Sequence, residues 1–352
     1  MQFVLLSLGD HLPDPHTGRH ELDQAGRHRQ IVELGVSAEQ WGFDAVWLGE
    51  HHFSDYILTV PQIALAAIGE RTKRIRLGTG LTLLPHHDAV RIAEDIATLD
   101  CLTGGRAEVC VGVGIDPHCY DHFGQDIAES KAMLEEKVEL MRRLWTEQNL
   151  NWSGKYRAPL SGVTLTPKPV QRNPHPPIWY GGGSSEESVD RAARLGLPIL
   201  LPGIFLPPER FVPFAKLYRE KWRAYGRPPE LARVGTVTHA HIRDDGTDIQ
   251  AYWAPYFDAY HGWLCRMTGR EGPPDGFRIS RRGPLIFGTP AEAAARIGEY
   301  REMLGLDLLI CAFDSAGLPA AVAQRSAKLF GTQVIPAVRA AERPVPARVA
   351  VN

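Results

Sequence analysis

A (β/α)8 barrel is the fold class this sequence predicts, on three observations. Short β-rich apolar runs alternate with longer stretches of helical spacing, and the alternation occurs eight times. The runs are apolar on both faces, as expected of parallel strands covered by helices. The first run leads into SLGDHLPDP, not into the glycine-rich phosphate loop usual after the first strand of a doubly wound sheet. Eight units point to a closed TIM barrel.

The strands expected in the first half are QFVLLSL (2–8), AVWLG (45–49), IRLGTGLTLL (75–84) and AEVCVGVG (107–114). PIWYGG (177–182), LPILLPG (197–203), RVGTVTHAHI (233–242) and DLLICAF (307–313) complete the eight. Helical patterns separate or follow them at 22–41, 60–71, 88–100, 126–148, 185–195, 208–225, 290–303 and 319–341. Two insertions depart from the repeat. Residues 149–170, before strand five, read as a small hairpin. Residues 243–285, after strand seven, read as a short amphipathic helix and a Gly/Pro-rich loop, with Trp253, Tyr256, Tyr260 and Trp263 at helical spacing. That stripe either packs on the barrel or lines a substrate pocket, and its place at a strand's C-terminal end allows a lid. The reading is one domain over 1–341, with a loosely ordered tail at 342–352.

Composition narrows the function. Thirty-nine Lys and Arg against 41 Asp and Glu, with no long basic run, suggest neither a nucleic-acid nor a membrane surface. The five cysteines are scattered and lack a CxxC pair, which argues against a disulfide framework or zinc site and for a reducing, cytoplasmic setting. The N-terminal apolar run has no basic flank and is interrupted by Asp10 and Pro13, unlike a signal peptide.

In a TIM barrel the residues just after each strand form the active face. Here they include Asp10 and His11, Glu50-His51-His52, His86-His87-Asp88, Asp116 and His118, Ser184-Ser185, Phe205, His239 and His241, and Asp314-Ser315. A metal site is the first rival reading, but the His-x-His pair lies on strand seven, and adjacent histidines on a strand point to opposite faces. No metal is therefore expected. GGGSSEES, leading from strand into helix, suits a phosphate at a helix N-terminus. Ser184 as N-cap with Glu187 reaching back would form a capping box, which accounts for one serine and none of the glycines. Gly78, Gly80, Gly112 and Gly114 on neighbouring strands suggest a planar ring lying across both.

The segments WGFDAVWLGEHHF, RIRLGTGLTLLPHHDAVRIAEDIATLDCLTGGRAEVCVGVG and GGGSSEESVDRAARLGLPILLP resemble the bacterial luciferase-like flavin-dependent monooxygenases. The resemblance implies a TIM barrel that takes reduced FMN (FMNH2) from a separate NAD(P)H-dependent flavin reductase. With O2 it forms a flavin C4a-peroxide that oxygenates a small organic substrate. His51 matches the histidine beside the flavin, an acid/base group. Gly80 and Leu81 match a segment behind the flavin ring where relatives carry a non-proline cis peptide. Gly112 and Val113 belong to the cofactor wall, and the phosphate is expected on Gly183, Ser184, Ser185 and Ser188. Relatives often have an arginine where this chain has Gly112-Val113-Gly114, which implies either weak flavin binding or a substitute cation such as Arg281 or Arg282. His118 is either a second proton-transfer group or a surface residue. His11, Phe205, Trp253 and Tyr256 are the expected substrate-pocket residues, and a homodimer is the expected assembly. A deazaflavin-dependent hydride-transfer enzyme and a non-catalytic flavin-binding protein are the alternative functions.

Overall fold

The computed structural model describes residues 1–204, 206–269, 279–280 and 282–342. In chain order the strands are β1 (Gln2–Ser7), β2 (Ala45–Leu48), β3 (Arg76–Leu83), β4 (Ala107–Gly112), β5 (Leu150–Trp152), β6 (Leu160–Val163), β7 (Ile178–Gly181), β8 (Ile199–Leu201), β9 (Val234–Ile242), β10 (Ile286–Gly288) and β11 (Leu308–Ala312). The helices are α1 (Gln24–Trp41), α2 (Pro61–Glu70), α3 (Ala89–Thr103), α4 (His118–His122), α5 (Ser130–Thr146), α6 (Glu186–Leu195), α7 (Val212–Ala224), α8 (Ile249–Met267), α9 (Pro290–Leu304), α10 (Ala320–Leu329) and α11 (Ile335–Glu342).

Eight parallel strands close a barrel in the order β1-β2-β3-β4-β7-β8-β9-β11, with β11 pairing back onto β1. Alternation divides each strand between two cores. On β1, Phe3 and Leu5 face the surrounding helices, while Val4 and Leu6 join Trp47, Trp179 and Ile310 in the lumen. Beyond the ring, β10 pairs with the upper end of β9 at Ala240–Ile242, where β11 has already ended at His239. Three residues are too few for a periodic pattern, so this strand is not legible in the sequence. Residues 150–163 form an antiparallel hairpin, β5-β6, outside the barrel.

The helix predicted at 319–341 is α10 and α11 joined by a π-helical turn, Phe330–Val334. That predicted at 126–148 begins at Ser130, after a separate 3-10 turn. At α6 the N-cap is Ser185, whose side chain accepts from Ser188 N, so the Ser184–Glu187 capping box is not formed. Among the described residues no helix is long and apolar enough to cross a membrane.

The inserted α8 runs for 19 residues and contains Pro255. An interior proline costs about 3 kcal/mol. Burial of Trp253, Tyr256, Phe257 and Tyr260 offsets it, each large apolar side chain contributing about 1.5–3 kcal/mol. The helix docks over the end of β9: His241 stacks between Tyr252 and Trp253, and the ring edges of Phe257 and Tyr260 meet His239. Burial pushes His239 down to about 3 and His241 to about 4, so both strand-end histidines are neutral packing groups. Asp10 and Asp314 are likewise committed elsewhere. Ser7 Oγ donates to Asp314 Oδ2 at 2.6 Å, Arg27 Nη2 lies 3.0 Å from the same oxygen, and Ala316 N donates to Asp10 Oδ2 at 2.6 Å.

Candidate active site

A cavity of about 380 Å³ opens at the C-terminal ends of the barrel strands. One wall is formed by Gly80-Leu81, Val113-Gly114 and Gly181-Gly182 from three neighbouring strands or strand ends. The Gly80–Leu81 peptide is cis. Of the four glycines expected to face a flat ligand, Gly78 and Gly112 make room for side chains, while Gly80 and Gly114 line the cavity. A Cβ at Gly78 would stand 2.3 Å from Trp47 Nε1, and one at Gly112 or Gly181 would stand 2.5 or 2.4 Å from a Leu81 methyl. Leu81 is thereby wedged between β4 and β7, and its backbone is presented to the cavity.

His51 and His52 both line the cavity, so alternation does not separate them as expected. The chain turns after Gly49: His51 N donates to Leu58 O at 3.0 Å, and Ile57 N to Gly9 O at 2.8 Å. The His51 ring stacks on Tyr56 with centroids 3.8 Å apart, and its Nδ1 is buried without a hydrogen-bond partner. Burial pushes His51 down to about 4, against a smaller opposing pull from Glu50. It is therefore a neutral imidazole at neutral pH, not one titrating there.

Glu50 organises the next layer. Its Oε1 accepts from His52 Nε2 at 2.9 Å and His87 Nε2 at 2.6 Å, while Oε2 accepts from Leu83 N at 3.2 Å. Burial works to raise the carboxyl, but the hydrogen bonds from His52 and His87 hold it down at about 2. The donor atoms of Glu50, His52 and His87 lie within 4.8 Å of one another, near enough to hold a cation, and they are engaged in their mutual hydrogen bonds. His87, from the end of the next strand, completes this group.

The opposite end is polar and cationic. Ser184, Ser185 and Ser188 line it, together with Lys131 and Arg191. Gly183 does not, because its N–H donates to Ser188 Oγ at 2.7 Å. Arg191, 7% exposed, bonds Glu135 through Nε and Glu187 Oε1 through Nη2 at 2.7 Å, while Nη1 is buried without a hydrogen-bond partner. Burial lowers its pKa, but those two carboxylates and the Tyr180 phenol raise it overall, so the charge is permanent. Lys131 Nζ reaches Glu187 Oε2 at 3.1 Å, and Arg194 Nη2 reaches Glu135 Oε2 at 2.7 Å. Three cations thus face two carboxylates, leaving one positive charge beside three hydroxyls and the N-terminus of α6. This donor set fits a phosphate. Arg281 lies outside the described residues, and Arg282 is exposed and does not line the cavity.

Other expected site residues sit elsewhere. His118 is exposed on α4, and Cys119 is the residue of that helix that lines the cavity. His11 stacks on His20 and contacts Leu22 O at 2.8 Å. Trp253 packs on His241, and the Tyr256 hydroxyl donates to Asp14 Oδ2 at 3.0 Å. Phe205 lies outside the described residues. From α8 it is Tyr260 and Met267 that reach the cavity, joined by Tyr56 from the β2–α2 loop. Arg191 was visible only as the i+4 partner of Glu187, which reads as a surface pair on a helix.

The model of the luciferase-like monooxygenase family matches residues 1–307. The alkanal monooxygenase alpha chain of the Kryptophanaron alfredi symbiont is 30% identical over 344 residues, covering 90% of this chain and 94% of that one. The oxygenase component of the flavin-dependent trigonelline monooxygenase of Acinetobacter baylyi is 24% identical, covering 87% of each. The crystal structure of monooxygenase RslO1 from Streptomyces bottropensis superposes with a TM-score of 0.84 at 28% identity, covering 96% of this chain and 99% of that one. With a cavity at the strand ends, a cationic serine cradle at one side and a histidine at the other, the chain belongs to the luciferase-like monooxygenase family.

Proposed function

We propose that this protein is the oxygenase component of a two-component system, taking reduced FMN from a separate reductase and using it with O2 to oxygenate a small, largely apolar organic substrate. The observation that carries the reading is Arg191 at the end of the cavity where three serines converge: its Nη1 is buried with no partner at hydrogen-bonding geometry, the Tyr180 phenol being the neighbour of the guanidinium. A buried donor left unsatisfied costs about 1–3 kcal/mol, which a phosphate oxygen there would recover.

Reduced FMN, when bound, supplies the electrons with which O2 is activated. The chain does the rest. Ser184, Ser185 and Ser188 offer hydroxyl donors to the phosphate, and Lys131 and Arg191 offer charge. The Gly80–Leu81 and Gly181–Gly182 backbones support the ring, held rigid by the Leu81 wedge. Leu6, Leu200, Val237 and Ile310 line the cavity and exclude water. His51, neutral and with an unpartnered Nδ1, accepts a proton at the reacting end. Glu50, His52 and His87 act as positioning residues that fix the wall next to it.

The test is anaerobic loading with reduced FMN, followed by 18O2 and a panel of aldehydes, ketones and polycyclic aromatics. Incorporation of one 18O atom into a product supports the reading. Failure to bind reduced FMN, with turnover of an alcohol to its carbonyl under argon on an oxidised deazaflavin that accepts the hydride, refutes it in favour of hydride transfer.

A further inference from the structure

At the reacting end of the cavity two phenols meet: Tyr56 from the β2–α2 loop and Tyr260 from α8, their hydroxyl oxygens 2.6 Å apart. Both line the cavity, and both are at most 2% exposed. Two hydroxyls carry two protons, and their mutual hydrogen bond uses one. Among the described residues no acceptor is found for the other. Both rings are held in place. Tyr56 stacks on His51, Trp263 sets its ring edge against Tyr56 at 4.7 Å, and Trp263 Nε1 is tied to Asp55 Oδ2 at 2.8 Å. Leu8 and Met267 pack against the same cluster as the two tyrosines, Val237 and Ile310 continue the cavity wall, and the buried carboxyls of Asp10 and Asp314 act on the phenols from behind that wall.

We propose that the Tyr56–Tyr260 hydroxyl pair is the polar anchor of the substrate site, and that the substrate is an organic molecule bearing a hydrogen-bond-accepting oxygen, bound with that oxygen against the pair and beside His51. The proposal rests on the reading of this cavity as the oxygenation site. The one proton left over by the pair favours a substrate that offers an acceptor there over one that offers none. Burial raises the pKa of both phenols, by a wide margin for Tyr56, so the pair stays protonated and acts as a neutral donor across the physiological range. Tyr56 also fixes the distance of the anchored oxygen from the imidazole, because the two rings are in contact.

The test needs neither flavin nor turnover. Binding of 1-tetralone and of tetralin, which lacks the carbonyl, is measured by calorimetry to the full chain and to the Tyr56→Phe/Tyr260→Phe double variant, both free of FMN. Removing both members of the pair leaves no orphaned hydroxyl, so the variant should fold, and an unchanged near-UV circular dichroism spectrum checks this. Expected is a loss of about five- to tenfold in tetralone affinity with tetralin affinity unchanged. An equal loss for both ligands marks a packing role and overturns the proposal. So does an unaltered preference, or no preference for tetralone in the native chain. Because reduced-FMN binding and 18O incorporation are separate measurements, the oxygenase reading can stand or fall independently of this one.

Discussion

Replacing Arg191 by methionine keeps most of the buried stem and removes the guanidinium. The side chain is 7% exposed, so solvent screening does little to discount the loss. A hydrogen bond to a charged group is worth about 1.5–3 kcal/mol, which corresponds to roughly tenfold to a hundredfold in affinity. The loss goes further, because Glu135 and Glu187, now bonded to Arg191, would face the phosphate with less compensation. Quenching of flavin fluorescence gives the dissociation constants of FMN and of riboflavin, which lacks the phosphate. FMN should weaken by that factor while riboflavin stays unchanged. A parallel fall in both would mean that Arg191 only supports the wall, and unaltered FMN binding would refute the phosphate assignment altogether.

Replacing His51 by alanine should lower turnover at least a hundredfold with FMN affinity retained, and should cost far more than His52→Ala; equal losses in steady-state kinetics would contradict the assignment. Glu50 contributes stability through a carboxyl held at about 2 in the fold against 4.5 unfolded. That contribution is complete above pH 4.5 and is lost as the pH falls towards 2, on the order of 3 kcal/mol in all. Urea midpoints of Glu50→Gln should therefore vary less than those of the native chain over that window. His51, held neutral at about 4, adds a loss of stability as pH falls from 6.5 to 4, which His51→Ala removes. Gly181→Ala places a methyl 2.4 Å from Leu81, so overpacking of about 1–3 kcal/mol should lower the thermal midpoint, and flavin affinity should fall with it.

The barrel was legible because its repeat is long and regular, and because stretches such as FVLL and AVWL have no polar position to blur the pattern. What lies across strands was not. The glycines at 78 and 112 were visible, but their neighbours Trp47 and Leu81 are set by register, and a flat ligand was assigned to space that side chains fill. The aromatic stripe of α8 was equally visible. Which of its turns overhangs the cavity depends on where the helix docks, and that placed Tyr260 and Met267 there instead of Trp253 and Tyr256. His51 was found by resemblance, yet its protonation state follows from burial, which adjacent residues do not encode. At the serine cradle one residue of slippage decided the cap, because Ser184 and Ser185 are chemically identical.

Tyr260 and Met267 arrive on α8, an appendage outside the hydrogen-bonded ring, whereas the serine cradle and the Leu81 wedge belong to the ring and the helix that follows it. On the proposed reading, one half of the substrate anchor thus lies on a stretch of chain separable from the flavin cradle, while Tyr56 stays with the β2–α2 loop. Exchanging the inner face of α8 would then change that half of the anchor without disturbing a single barrel strand.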